Sequence, residues 1–195
     1  MLTLCIDTAY KYLTCVLIEN DEIIASYCEE CFKHQSEEVF VALRKLFEQS
    51  GRNRRDIDSI CITKGPGSYT GVRIAMTIAK TMGEVLPCDV YTISTLRLYA
   101  GCRENVLVLM DARADRAYYG IYNGDEMIQE DTVKPLNEID TIGYTIVGDG
   151  RLLDFYDDFG NIPESFLKTK HLWQKVDNIA YLTPEYLKES ESYYR

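Results

Sequence analysis

The chain is 195 residues long, 46% hydrophobic and 27% charged, with a formal net charge of −10, so it has enough apolar material for one or two compact units with real cores. Residues 1–100 carry 11 Lys and Arg against 13 Asp and Glu, and residues 101–195 carry 10 against 18. Such a surface repels phosphate backbones, and without a basic stripe or an aromatic-basic motif it argues against direct, unaided nucleic-acid binding.

No run approaches the length of a membrane span, and the N-terminus lacks a basic region followed by an apolar core and a cleavage site, so a cytoplasmic location is expected. Leu2 to Asp7 and Leu13 to Glu19 read as buried strands, and Asn20-Asp21 as the turn into a third strand, Glu22 to Glu30. Ser36 is suited to cap a helix with Glu37 and Glu38 in its first turn, Val39, Phe40, Leu43, Leu46 and Phe47 on its apolar side, and Gly51 as its stop. The cations Arg52 to Arg55 follow as a solvated loop.

Ser59 to Pro87 organises the rest. A β-rich run, Ile60 to Thr63, passes through Gly65-Pro66-Gly67-Ser68-Tyr69-Thr70-Gly71 into a helix that ends before Pro87. The spacing fits neither a dinucleotide fingerprint nor a nucleotide P-loop. Along the helix, Gly71, Ala75, Ala79 and Gly83 recur every fourth residue and form a smooth face on which another helix could approach closely. Ile74, Ile78, Met82 and Val85 form the neighbouring face, and Arg73 opposes the dipole in the first turn. Two readings stay open: a core helix with a solvated Arg, and a helix shared with a partner.

Val90 to Ile93 reads as a strand and Thr95 to Cys102 as a short helix. From Val106 the pattern begins again. A displacement of 104 residues lays Asp7 on Asp111, Asp21 on Asp125, Glu22 on Glu126 and Ile24 on Ile128 without a gap. Each leading Asp ends an apolar strand, which points to a duplicated β-meander with a boundary near Arg103 to Asn105 and lobes of 1–104 and 105–195. Further on, Leu136 to Asp140 suggests a short helix, Tyr144 to Val147 a strand ending in Gly148-Asp149-Gly150, and Leu172 to Leu182 a helix. Residues 152–170 carry no clear period. Tyr193-Tyr194-Arg195 is left as either a docked or a disordered end.

Seven cysteines is an odd number, and Cys5, Cys15 and Cys61 lie in apolar strands, so no disulfide is expected. Cys28-Glu-Glu-Cys31 before His34 lacks a second ligand pair for zinc, and His171 has no carboxylate within four residues, so no metal site is expected. Ser68 lacks an identifiable base and more readily shapes its turn than attacks a substrate.

The run GPGSYTGVRIA resembles the hallmark of the bacterial TsaB (YeaZ) family, GPGSFTG(L/V)RIG, with Tyr69 for Phe and Ala75 for Gly. The likeness extends to the opening LCIDTA, the His34 to Glu38 segment, DARADRAYYGIY, VGDG and the closing TPEYLK. It implies an α/β, two-lobed actin-like (ASKHA) fold, with a duplicated β-meander plus helices in each lobe. It also implies a non-catalytic scaffold or activator that binds TsaD, and with it TsaE, in the machinery that places threonylcarbamoyl on adenosine in tRNA. On that reading tRNA is met only through the complex, and the chain pairs with itself when TsaD is absent.

The expected partner interface comprises His34, Glu37, Phe40 and Leu43 on the first helix, with Ser68, Tyr69, Thr70, Val72, Arg73, Ala75, Met76 and Ala79 on the second. In actin-like ATPases the loops after the two leading strands grip phosphates. The corresponding positions here are Asp7, Thr8, Asp111 and Arg113; Gly148 and Gly150 are grouped with them, although their turn alone is too common to count as an adenosine site. Because DTAYKYLT and DARADRAY contain no glycine and carry bulky Tyr10, Tyr12 and Arg113, any nucleotide site is expected to be vestigial, with no catalytic residue and no cofactor. The related TsaD proteins use a His-x-x-x-His metal motif, whose counterpart here is His34 and Glu38. The competing reading is an actin-like enzyme, a small-molecule kinase or a glycoprotease-type peptidase, and it rests on Asp7 and Asp111 alone.

Overall fold

The computed structural model describes residues 1–31 and 34–187. Three antiparallel strands open the chain: β1 (Leu2–Asp7), β2 (Tyr12–Glu19) and β3 (Glu22–Glu30). Helix α1 (Gln35–Ser50) leads to β4 (Ser59–Thr63), α2 (Tyr69–Val85), β5 (Asp89–Ile93) and α3 (Thr95–Ala100). A second meander follows in β6 (Val106–Asp111), β7 (Arg116–Asn123) and β8 (Glu126–Pro135), then β9 (Thr145–Gly148), α4 (Ile162–Lys168) and a two-residue β10 (Gln174–Lys175).

The sheet orders are β10-β5-β4-β1-β2-β3 and β8-β7-β6-β9. In each, the leading strand pairs antiparallel with the next strand and parallel with a later one, β4 in the first sheet and β9 in the second. Leu2, Tyr12 and Glu22 begin strands whose counterparts begin at Val106, Arg116 and Glu126, so the 104-residue displacement holds strand by strand. This is the two-lobed actin-like fold with its duplicated meander.

Both faces of the first sheet are covered, which explains why its central strands read as unbroken apolar runs. By strand alternation, Leu2, Leu4 and Ile6 face α1 and α2, while Cys5 faces the other way. That other core is common to both lobes. Cys5, Val16 and Ile18 of the first sheet meet Val106, Val108 and Met110 of the second, with α3 and α4 between them supplying Leu96, Tyr99, Ile162 and Phe166.

Several local readings change. The N-cap of α1 is His34, which makes no side-chain cap bond; Ser36 lies inside the helix, and Gly51 ends it in the left-handed region at φ 66°. The helix expected over 172–182 is instead the turn Lys170–Leu172, strand β10 and the turn Ile179–Tyr181. Edge pairing with β5 takes the backbone of Gln174 and Lys175, and the Val176 N–H donates to the Val90 carbonyl. The segment 152–170 does contain a helix, α4, with Asn161 accepting from the Glu164 N–H and Pro163 in its first turn. Tyr193, Tyr194 and Arg195 lie outside the described residues.

The small-residue face of α2 is spent inside the chain. Ala75 and Ala79 are fully buried, with Val72 at 1% and Met76 at 4% exposure. A Cβ on Gly71 would collide with the Thr8 carbonyl oxygen, and one on Gly83 with the Ile179 side chain. The expectation that Val72, Ala75, Met76 and Ala79 offer a face to a partner helix is therefore corrected: they pack against this chain's own sheet and C-terminal segment. Ala79→Leu overfills that space and should lower the stability of the isolated chain by about 1–3 kcal/mol, as should Gly71→Ala. Urea denaturation measures it, and unchanged midpoints would remove these residues from the core.

Candidate functional site

Two regions gather the residues singled out by sequence. Between the lobes, Asp7 ends β1 fully buried. One carboxylate oxygen accepts from the Ala9 N–H at 2.9 Å and the Thr63 hydroxyl at 2.7 Å, and the other from the Tyr99 hydroxyl at 3.0 Å. Burial pushes the Asp7 carboxyl above its ordinary value, and those three bonds partly offset the rise. Thr8 is also fully engaged. Its hydroxyl donates to the Gly71 carbonyl at 2.6 Å and accepts from the Ala75 N–H at 3.1 Å.

The second-lobe candidates sit around a residue that sequence reasoning missed, Asp149, which is 3% exposed. It accepts from the Tyr10 hydroxyl, from Lys11 and, at 2.9 Å, from the Asp111 N–H. Tyr10 in turn accepts from that same N–H at 3.0 Å. Burial and the adjacent Asp149 charge push the Tyr10 hydroxyl far above its ordinary range, so it remains a proton donor. Lys11 also reaches Asp157 at 3.8 Å. Tyr10, one of the bulky residues of the first loop, and its neighbour Lys11 thus join the lobes through Asp149.

Gly148 and Gly150 are glycines for packing reasons, since a Cβ would strike the carbonyl of Leu109 or Tyr156 respectively. Arg113 is exposed on a left-handed stretch with φ 65°, its N–H donating to Asp111 at 2.6 Å. The structure therefore joins Asp7 with Thr8 and Asp111 with Asp149, and leaves Arg113 at the edge.

The second region is the outer surface of α1 and α2. Tyr69, Arg73, Thr77, Thr81 and Val85 form an exposed row along α2, on the face opposite the buried Gly71-Ala75-Ala79 row. A groove of about 1170 Å³ runs between the helices, lined by Phe40, Leu43, Phe47, Ile78, Met82 and Val85. Phe40 is 66% and Val85 72% exposed, an unusual display for large apolar side chains. Arg44, Arg52, Arg54 and Arg55 rim it, so the loop read as merely solvated lines one edge, although Arg52 is paired with Glu19 at 2.5 Å.

His34 and Glu37 are exposed near the start of α1 and pair at 3.4 Å. Ser68 caps α2 by accepting from the Gly71 N–H at 3.2 Å. Thr70 is exposed beside it. Arg73 lies 4.5 Å over the Tyr69 ring and donates to its hydroxyl, and Tyr186 from the C-terminal segment stacks on the same ring at 5.4 Å. Phe47, Met82 and Val85 belong to this surface but were not named for it. The signal was present: five apolar positions on α1 are more than one buried stripe needs.

The architecture and these two regions define a two-lobed actin-like protein whose interlobe side chains bind one another and whose helical face is open. Residues 20–154 match the family described as "TsaD: tRNA N6-adenosine threonylcarbamoyltransferase". The protein named tRNA threonylcarbamoyladenosine biosynthesis protein TsaB from Bacillus subtilis is 32% identical over 141 residues, covering 70% of this chain and 62% of that one. Its Escherichia coli namesake is 33% identical over 132 residues, covering 65% and 57%. The chain thus spans about 60% of the length of these curated relatives. The solved structure of YeaZ from Pseudomonas aeruginosa superposes with a TM-score of 0.78 at 20% identity, over 95% of this chain and 99% of that one. The chain belongs to the TsaB (YeaZ) family.

Asp7 yields a test of the interlobe site. Because its folded carboxyl titrates above the ordinary value, the unfolded chain releases the proton first as pH rises. The wild type should therefore lose stability from about pH 4 up to the folded-state value. Asp7→Asn, which never ionises, should gain on the wild type across that window. Asp7→Ala strands the Ala9 N–H and two hydroxyls and should cost about 1–3 kcal/mol at every pH. Denaturant midpoints for the three proteins between pH 4 and 8 check the ordering, and a pH-independent gap between Asn variant and wild type would contradict it.

Proposed function

We propose that the chain is a non-catalytic subunit of the machinery that forms threonylcarbamoyladenosine in tRNA, and that it docks TsaD through the outer faces of α1 and α2. The observation that carries this reading is the exposed apolar groove, because Phe40 and Val85 at 66% and 72% exposure gain from being covered. Contacts from His34, Glu37, Phe40 and Leu43 on α1 and from Ser68, Tyr69, Thr70 and Arg73 on α2 would border the same partner. The rim of arginines suits an acidic edge on TsaD.

The non-catalytic status is supported by the interlobe chemistry. Asp7 and Thr8 are spent on internal bonds, and Tyr10, Lys11 and Asp149 occupy one another. In this reading TsaD carries the metal, nucleotide and transfer chemistry, TsaE joins the larger assembly, and tRNA is met only through the complex because the chain's charge of −10 repels it. The first lobe, residues 1–104 completed by the returning C-terminal segment, supplies the docking surface. A second copy covers the groove when TsaD is absent, and the assembly works in the cytoplasm.

Co-purification with TsaD, followed by threonylcarbamoylation with and without this chain, tests the reading. Phe40→Asp and Arg73→Glu both alter exposed side chains, so each should leave thermal stability within about 0.5 kcal/mol of the wild type. Each should nevertheless weaken TsaD binding at least tenfold and lower tRNA modification in step. Full binding by both folded variants would remove this surface from the interface. The isolated chain should not hydrolyse ATP, and turnover lost in Asp7→Asn would overturn the non-catalytic assignment.

A further inference from the structure

Three side chains that are far apart in sequence meet on the surface away from both regions. Cys102 follows α3, Asp125 lies in the turn between β7 and β8, and His171 lies in the turn Lys170–Leu172. Their sulfur, oxygen and nitrogen atoms all lie within 4.8 Å of one another, with His171 Nε2 2.8 Å from Asp125 Oδ2. The sequence reading found no carboxylate near His171, because its neighbour is supplied by the fold.

The backbones beneath these groups are held firmly. Arg97 donates to the Gly124 carbonyl at 2.8 Å and the Asp125 carbonyl at 2.5 Å, pinning the hairpin turn while leaving the Asp125 carboxylate to face outward. The buried Thr169 hydroxyl donates to the Ser165 carbonyl at 2.7 Å, fixing the approach to His171. Of the nearby cations, Arg97 is spent on those carbonyls and Lys168 on Glu164 at 3.0 Å. The side chains themselves remain accessible, Cys102 half-buried and the other two exposed.

We propose that Cys102, Asp125 and His171 bind a divalent cation of the zinc class. A thiolate, an imidazole and a carboxylate form the mixed set that zinc accepts, whereas calcium and magnesium prefer oxygen alone. Zinc bonds of roughly 2.0–2.3 Å place tetrahedral ligand atoms roughly 3.2–3.8 Å apart, so the set, now within 4.8 Å, has to draw in by about 1 Å while the His171–Asp125 pair opens from 2.8 Å, displacements that side-chain rotation supplies. Thiolate and carboxylate together neutralise the ion, the thiol proton leaves to solvent, and the fourth position falls to water.

Such an ion would tie the second-lobe hairpin and the end of α3 to the start of the C-terminal segment. That segment continues through β10 to Glu185, whose N–H donates to the Lys64 carbonyl, and to Tyr186 on Tyr69. The site therefore anchors the strap that crosses the GPGSYTG loop, and it stands independently of the docking reading.

Cobalt(II) titration of chelator-treated, reduced full-length protein tests it. One equivalent should produce a thiolate-to-cobalt charge-transfer band with tetrahedral d–d absorption, displaced by zinc. Cys102→Ser should abolish the charge-transfer band, and His171→Gln should weaken affinity at least tenfold. The exposed position of His171 keeps that variant folded. A Cys28→Ser, Cys31→Ser double variant should bind as the wild type does. Zinc should also raise the melting temperature of the wild type but not of Cys102→Ser. Absence of the band, its survival in Cys102→Ser, or its loss in the Cys28, Cys31 variant alone would overturn the assignment.

Discussion

The close approach of α2 to the loop after β1 constrains the rest of the molecule. The Thr8 hydroxyl bridges the Gly71 carbonyl and the Ala75 N–H, and the Ser68 N–H donates to the Ala9 carbonyl at 2.7 Å. Helix backbone can come that near only where the side chains are hydrogen or methyl, which is why glycine and alanine repeat every fourth residue. This contact commits the Thr8 hydroxyl of the β1 loop, while the neighbouring Ala9 N–H is held by Asp7. It also fixes the rotation of α2, so the row from Tyr69 to Val85 must face outward. One packing contact therefore connects the hydrogen bonds between the lobes with an open helical face.

The lobes are joined by more than a linker. The middle core takes side chains from both sheets, and neither sheet could cover that face alone. Above it, Tyr10, Lys11 and Asp149 add a largely buried polar junction in which the Tyr10 hydroxyl and both Asp149 carboxylate oxygens are engaged. Charges removed from water are tolerated when they are paired and hydrogen-bonded, and here the pairing runs from the β1 loop of the first lobe to Asp149 of the second. Opening would cost both the apolar contact and this junction.

The C-terminal segment completes the first lobe from the far end of the chain. Its Ile179 fills the notch above Gly83, β10 extends the sheet beside β5, and the Glu185 N–H bonds the loop at Lys64. These contacts cover the last part of the α2 small-residue row, and Tyr186 of the segment stacks on Tyr69 at the edge of the open surface. The surface there is thus set jointly by the start of α2 and the C-terminal segment.

The sequence by itself determined the strands, the repeat and the helix stops, because alternation, the leading Asp7 and Asp111, and Gly51 act through local backbone geometry. It also placed Asp7 and Asp111 at the ends of the two leading strands, since each closes an apolar run. It did not distinguish the buried row of α2 from the exposed one. Periodicity reports that a face is smooth or apolar, not whether the chain or a partner covers it. Nor did it place Asp149 beside Tyr10, Asp125 beside His171, or β10 in place of a helix. Those pairings join residues dozens of positions apart, and only the tertiary structure decided them, because proximity across folded elements depends on how the lobes and the returning strap pack rather than on neighbours along the chain.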